Sequence, residues 1–124
     1  MTPDQEYAIN QIAIEAYQNA AVKGFHDKDG DVVSDYARWT TNLHGEVSEL
    51  WEAARRGDLK RPCDKASFME DQLGESLTCE EEELADIIIR VFDTAGARGI
   101  NIGRAIRVKM AYNATRIRMH GKLA

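Results

Sequence analysis

Two pairs of acidic residues have the type and spacing to bind a divalent cation. Glu46 and Glu49 stand three residues apart, and Glu83 and Asp86 repeat that spacing further along the chain. On a helix, side chains three residues apart lie on the same side, one turn above the other, where like charges cost about 0.2–0.5 kcal/mol per pair. Carboxylate oxygens are hard ligands that Mg²⁺ and Mn²⁺ accept. The spacing therefore predicts either a metal site or two solvated acidic faces.

A third polar group lies near the end of the chain. Lys109, Asn113 and Arg116 are four and three residues apart, which places them on one side of a predicted helix. A lysine point charge, an arginine fork and a neutral amide donor suit the oxygens of a polyphosphate. Taken alone, the group also fits a solvent-facing basic stripe. Three such motifs on three helices, each beside an apolar face, favour a site for metal and phosphate.

Composition restricts the class of protein. With 124 residues, 44% of them hydrophobic, the chain is long enough for one domain over residues 1–124 and too short for two ordinary ones. The formal charge of −5 argues against a nucleic-acid partner. Cys63 and Cys79 fit neither a CxxC clip nor a disulfide-rich scaffold, which predicts reduced thiols in the cytoplasm. The sequence has no signal peptide pattern and no apolar run of about 20 residues, so we expect no membrane partner.

Hydrophobic periodicity predicts four long helices and one short helix, and therefore an all-α fold. The predicted long helices run over residues 3 to 23, 34 to 56, 78 to 98 and 101 to 120, and the short one runs from 67 to 74. The predicted N-caps are Thr2, Ser34, Ser67, Thr78 and Asn101.

The acidic pairs occupy distinctive positions on these helices. Glu46 and Glu49 lie directly beside the apolar face of the second long helix, where a charge needs a partner because unpaired desolvation is costly. The third long helix is apolar around most of its circumference, which predicts that it is largely buried. Its one polar stripe consists of Glu83, Asp86, Arg90 and Asp93.

Acids also alternate in the segment from His26 to Asp31, as they do in calcium loops. In an EF-hand loop the glycine follows the third acidic ligand and a glutamate comes six residues later. Here Gly30 precedes Asp31 and no such glutamate follows. We therefore predict an ordinary solvated turn.

The three motifs together resemble those of the MazG-type all-α nucleoside triphosphate pyrophosphohydrolases. The resemblance covers roughly residues 35 to 120 and rests on Glu46-Val47-Ser48-Glu49, Glu83-Leu84-Ala85-Asp86 and the segment from Gly99 to Arg116. It implies a bundle-like core of four long helices with a short extra helix between the second and third. It also implies a homodimer or homotetramer that uses Mg²⁺ or Mn²⁺ to hydrolyse a nucleoside triphosphate to the monophosphate and pyrophosphate.

The resemblance also assigns residues. By position, the metal ligands and catalytic residues would be Glu46, Glu49, Glu83 and Asp86, and the phosphate contacts would be Lys109, Asn113 and Arg116. Asn42, one turn before Glu46, is a candidate contact for base or sugar. The chain departs from the family in a longer segment between the acidic motifs and in having one copy of the motif set.

Two alternatives stay open at this point. A phosphoribosyl-ATP pyrophosphohydrolase would reuse the same carboxylates with a different pocket. A non-catalytic helical oligomerisation module would instead pair its charged stripes across subunits. A di-iron bundle is disfavoured, because it would need Glu-x-x-His pairs and the chain has none.

Overall fold

The computed structural model describes residues 1–121, with the backbone alone for His120, and five α-helices account for most of them. The helices are α1 (Pro3–Val22), α2 (Val32–Arg55), α3 (Ala66–Leu73), α4 (Cys79–Arg98) and α5 (Ile102–Ala114), followed by a 3-10 turn over Arg118–Gly121. The predicted all-α, bundle-like fold is confirmed, and α3 is the predicted short extra helix. Within residues 1–121, none of the helices combines the length and apolar character required to cross a bilayer.

Three predicted helix starts are confirmed by side-chain hydrogen bonds. Thr2 and Gln5 form a reciprocal capping box on α1, and Thr78 and Glu81 form one on α4. The Asn101 side chain accepts a hydrogen bond from Arg104 N at 3.1 Å at the start of α5. These bonds satisfy backbone donors that have no partner within their helix, so local sequence is sufficient to set these boundaries.

Two other predicted starts are wrong. Asp31 rather than Ser34 caps α2, because the Asp31 carboxylate accepts from Ser34 N at 2.9 Å and the helix begins at once. In α3 the predicted cap Ser67 lies inside the helix, which begins at Ala66 without a side-chain cap. There the turn that bonds Ala66 N to Cys63 O at 3.0 Å already bends the chain into the helix.

The predicted end of α5 near residue 120 is also wrong. The helix ends at Ala114, and Thr115 is its C-cap. The Thr115 hydroxyl donates to Tyr112 O at 2.7 Å, a local bond that competes with helix continuation. Arg116 therefore lies beyond the helix rather than on its face.

The chain divides into two compact units, and the first comprises Met1–Lys23 and the chain from Phe92 onward. In this unit α1 packs against α5. A Cβ atom on Gly103, in α5, would lie 2.5 Å from Glu6 O of α1, and one on Gly96, in α4, would lie 2.6 Å from Ala13 O of α1. The helix backbones thus approach each other at glycine, and Ala13 is buried at 2% exposure.

Hydrogen bonds also join α1 to the start of α5. Asn10, on α1, donates through Nδ2 to Asn101 Oδ1 at 2.8 Å and accepts from Gly103 N at 2.9 Å. A side chain of α1 therefore satisfies one of the unpaired backbone donors in the first turn of α5.

The second unit spans Gly24–Val91 and begins with the turn that was predicted to be solvated. The segment is a turn, as predicted, and most of its side chains are exposed, although two of its residues also make polar contacts with α2. His26 Nδ1 contacts the Asp29 carboxylate, and Arg38 donates to Asp29 at 2.5 Å. The buried Asp35 carboxylate accepts from Gly30 N at 3.1 Å. These partners lie several residues apart, so short-range patterns did not reveal them.

The connection between α2 and α4, residues 57 to 78, is ordered within the second unit. Pro62 and Thr78 form an isolated antiparallel bridge, flanked by backbone hydrogen bonds from Cys63 N to Leu77 O at 2.9 Å and from Cys79 N to Arg61 O at 2.8 Å. The connection therefore runs alongside the segment that enters α4. Cys63 and Cys79 are both free thiols.

The prediction that the helix carrying Glu83 is largely buried is wrong for the single chain. On α4, Ile88 is 52% and Ile89 is 50% exposed, and Leu84 and Val91 are also exposed. Trp51 on α2 is 62% exposed. A chain of this size has too few elements to cover an apolar helix on every side.

Candidate metal centre

Helices α2 and α4 bring three of the four predicted ligands together within the second unit. One carboxylate oxygen from each of Glu46, Glu49 and Glu83 lies within 4.8 Å of the others. Two oxygens on one Mg²⁺ ion are at most about 4.2 Å apart, because each lies about 2.1 Å from the metal. The 4.8 Å bound on the separations in this cluster is about 0.6 Å longer than that limit, so a small side-chain movement would bring the oxygens onto one ion. The two acidic motifs thus converge although nearly forty residues separate them.

Glu83 contributes a buried carboxylate oxygen to this cluster. Its Oε2 atom is buried, and among the described residues no hydrogen-bond partner meets it. Burial raises the pKa of Glu83 to about 7; the charge of Glu49 and a hydrogen bond between the Glu49 and Glu83 carboxyl groups raise it further, followed by the charges of Glu82 and Asp86. A buried acceptor without a donor is costly. A cation in the cluster would supply the missing partner, so the residues fit a hard divalent metal.

Asp86, the fourth predicted ligand, is not one of the three clustered residues. Burial and the Glu46 carboxylate raise its pKa, followed by the effect of Glu82. Lys65 lowers it and partly offsets these effects. Asp86 therefore experiences the charge of the cluster, and its role as a ligand stays a prediction.

Lys65 neutralises a further acid next to the cluster. Its Nζ atom lies 2.5 Å from Glu82 Oε1, and the Glu82 side chain is buried at 9% exposure. Hydrogen bonds to Glu82 and Asp64 raise the pKa of Lys65. The connection from α2 to α4 thus supplies the counterion that allows Glu82 to lie buried beside Glu83.

Arg90 pairs with one of the predicted ligands. Its Nε atom donates to Glu46 Oε1 at 3.2 Å, and both side chains are partly buried. The Arg90 guanidinium carbon also lies 5.1 Å from the centre of the Phe25 ring, a cation–π distance. The sequence indicated that Arg90 shares a stripe with Asp86, but the spacing along α4 gave no sign of a partner on α2.

An open groove of about 400 Å³ adjoins the cluster. Glu49 and Glu83 line it together with Ser48, Arg56 and Cys79. Glu49 is exposed, whereas Glu46 and Glu83 are partly buried. The groove is also lined by the acids Glu52 and Asp58, and Arg56 Nε lies 3.4 Å from Glu52 Oε2, so a molecule in the groove would meet mostly carboxylates and one paired cation.

The predicted phosphate contacts lie in the first unit. Lys109 Nζ is 4.9 Å and the Arg116 guanidinium carbon is 5.4 Å from the centre of the Tyr112 ring. Asn113 Oδ1 is buried, with no hydrogen-bond partner among the residues described. The two cations thus converge on Tyr112, although Arg116 is outside α5. Asn42 is exposed on α2, and its role with base or sugar stays a prediction.

Comparison with known proteins yields no match to a protein family, a curated protein or a solved structure. The functional assignment therefore depends on the geometry of the carboxylate cluster and on the spacing of the motifs.

Proposed function

We propose that the protein is a Mg²⁺- or Mn²⁺-dependent hydrolase that cleaves a nucleoside triphosphate to the monophosphate and pyrophosphate. The observation that carries the proposal is the convergence of Glu46, Glu49 and Glu83 within 4.8 Å, with a buried Glu83 oxygen that lacks a hydrogen-bond partner among the described residues. Solvated surface acids would not leave an acceptor in that state. The resemblance of the motifs to MazG-type pyrophosphohydrolases supports the choice of reaction.

Each carboxylate then has a role. Glu46, Glu49 and Glu83 would hold the metal, and Asp86 would assist them. Glu49, exposed at the groove, also accepts the proton of a water that attacks the α-phosphorus, while the bond to pyrophosphate breaks. When bound, the divalent ion supplies a Lewis acid for the phosphate oxygens and lowers the pKa of water. Lys109, Asn113 and Arg116 are the proposed phosphate contacts, and Asn42 is the proposed contact for base or sugar.

We further propose that the protein acts as a homodimer or homotetramer in the cytoplasm. The exposed apolar side chains of α4, including Ile88 and Ile89, support association, since water is an unfavourable environment for such a face. The free thiols of Cys63 and Cys79 support a reducing compartment.

Product analysis on a panel of ribo- and deoxyribonucleoside triphosphates tests the reaction. We expect monophosphate and pyrophosphate from wild type with Mg²⁺ or Mn²⁺, and a loss of at least about a hundredfold in kcat for Glu49→Gln, since general-base catalysis contributes that much. Glu70→Gln, an exposed acid on α3, is the matched control and should keep full activity.

The other outcomes separate the alternatives. Diphosphate and phosphate as products would refute the proposed bond cleavage while retaining a metal site. Turnover of phosphoribosyl-ATP alone would identify the related biosynthetic enzyme. A folded protein that hydrolyses nothing on the panel, but changes its oligomeric state when Glu46 or Asp86 is replaced by Ala, would indicate an oligomerisation module.

A further inference from the structure

The contact between Arg90 and Glu46 bears on how the carboxylate cluster is held. Glu46 belongs to α2 and Arg90 to α4, so this ion pair joins the two helices that carry the candidate ligands. In this contact Arg90 Nε donates to Glu46 Oε1 at 3.2 Å. A carboxylate has two oxygens and about four lone pairs, so Glu46 can accept from Arg90 and still offer an oxygen to a metal.

Arg90 is itself held in place by an aromatic ring. Its guanidinium lies 5.1 Å from the centre of Phe25, at the start of the turn before α2. A planar guanidinium stacks on an aromatic face while its edge donates hydrogen bonds, which an ammonium group does not do in the same way. Phe25 therefore restricts the guanidinium that in turn restricts Glu46.

We infer that Arg90 is a positioning residue that orients the Glu46 carboxylate for metal binding, with Phe25 as its support. The inference rests on the proposed metal-dependent function. Partners that orient a ligand commonly contribute tenfold to a hundredfold to metal affinity. An arginine so close to a metal would also repel it, so the sign of the effect separates positioning from competition. Positioning weakens metal binding when Arg90 is removed, and competition strengthens it.

The test measures Mn²⁺ affinity by calorimetry and by the loss of the free-ion electron paramagnetic resonance signal, without substrate. We expect Arg90→Met to raise the Mn²⁺ Kd about tenfold. Phe25→Leu keeps an apolar side chain but removes the aromatic face, and should raise Kd roughly two- to fivefold. Arg55→Met is the matched control, because Arg55 pairs at 2.8 Å with Glu52, an acid on α2 outside the three-carboxylate cluster. The Mn²⁺ Kd of this variant should stay at the wild-type value.

Two further variants separate positioning from charge and from folding. Arg90→Lys keeps the charge but lacks the Nε–H donor, so its Kd should match that of Arg90→Met. In a Glu46→Gln background, Arg90→Met should cause no additional loss. Three results would each overturn the inference. They are a wild-type Kd for Arg90→Lys, a tighter Kd for Arg90→Met, and an Arg90→Met substitution that weakens Mn²⁺ binding equally in the wild-type and Glu46→Gln proteins. Wild-type protein that binds no Mn²⁺ would overturn the proposed function as well, whereas wild-type binding with unchanged Arg90 variants would overturn the positioning role alone.

Discussion

Replacing Glu83 with Gln should stabilise the metal-free protein at pH 8 and should remove its stabilisation by Mn²⁺. At pH 8 the Glu83 carboxylate is ionised, since its pKa is about 7, and oxygens of Glu46 and Glu49 lie within 4.8 Å. Unit charges at that distance repel by about 0.9 kcal/mol in bulk water. The value for bulk water is the lower limit for each pair, and it applies here because solvent reaches Glu49. Glu83 faces two carboxylates, but Arg90 offsets part of the Glu46 charge. The net gain is therefore about 1 kcal/mol.

The dependence on pH follows from the direction of the Glu83 shift. Between about pH 4.5 and pH 7 the folded state keeps a proton on Glu83 that the unfolded state has lost. The free energy of unfolding of the wild type therefore falls as pH rises through this window, and the raised pKa of Asp86 acts in the same direction. Glu83→Gln removes the Glu83 part of this dependence. Its advantage over the wild type should be present at pH 8 and absent at pH 5.

Thermal unfolding in EDTA and in Mn²⁺ measures both effects. A gain of about 1 kcal/mol corresponds to roughly 4 °C in Tm for a chain of this size. Mn²⁺ at one hundred times its Kd should stabilise the wild type by about 2.7 kcal/mol and should have little effect on Glu83→Gln. Glu70→Gln is the control for the loss of one exposed acid. Equal stabilisation of wild type and Glu83→Gln by Mn²⁺, or a lower Tm for Glu83→Gln at pH 8 in EDTA, would refute the three-carboxylate site.

Two other predictions concern the stability effects of residues that are not metal ligands themselves. Gly103→Ala should lower the free energy of unfolding by about 1–3 kcal/mol, because the added Cβ would lie 2.5 Å from Glu6 O. Gly45→Ala is the control, because the space around Gly45 is open and the substitution should not destabilise α2. Denaturant titration compares the two variants, and equal unfolding midpoints would contradict the close packing of α1 and α5. Lys65→Met should leave the buried Glu82 without its counterion and cost about 1 kcal/mol, a figure reduced because the Lys65 side chain is 60% exposed. Lys60→Met is the control on a more exposed lysine, and a Tm that Lys65→Met leaves unchanged would show that the pair contributes nothing.

Most helix boundaries were predictable because they depend on neighbouring residues. The caps at Thr2, Thr78 and Asn101 form from side chains within three positions of the backbone groups they satisfy. The errors arose where another local or tertiary bond competed. Asp31 displaced Ser34 as the cap of α2, and Thr115 ended α5 before Arg116.

In the candidate site too, some features follow from the local sequence and others from the tertiary structure. The sequence by itself determined the helices and the pairing of Glu46 with Glu49 and of Glu83 with Asp86, because a helical repeat fixes which side chains share a face. Only the tertiary structure decided that Glu49 meets Glu83 and that Arg90 reaches Glu46, forty-four residues away. Such contacts depend on how the turn before α2 and the connection before α4 direct the helices. Periodicity within one helix carries no information about the direction of its neighbour.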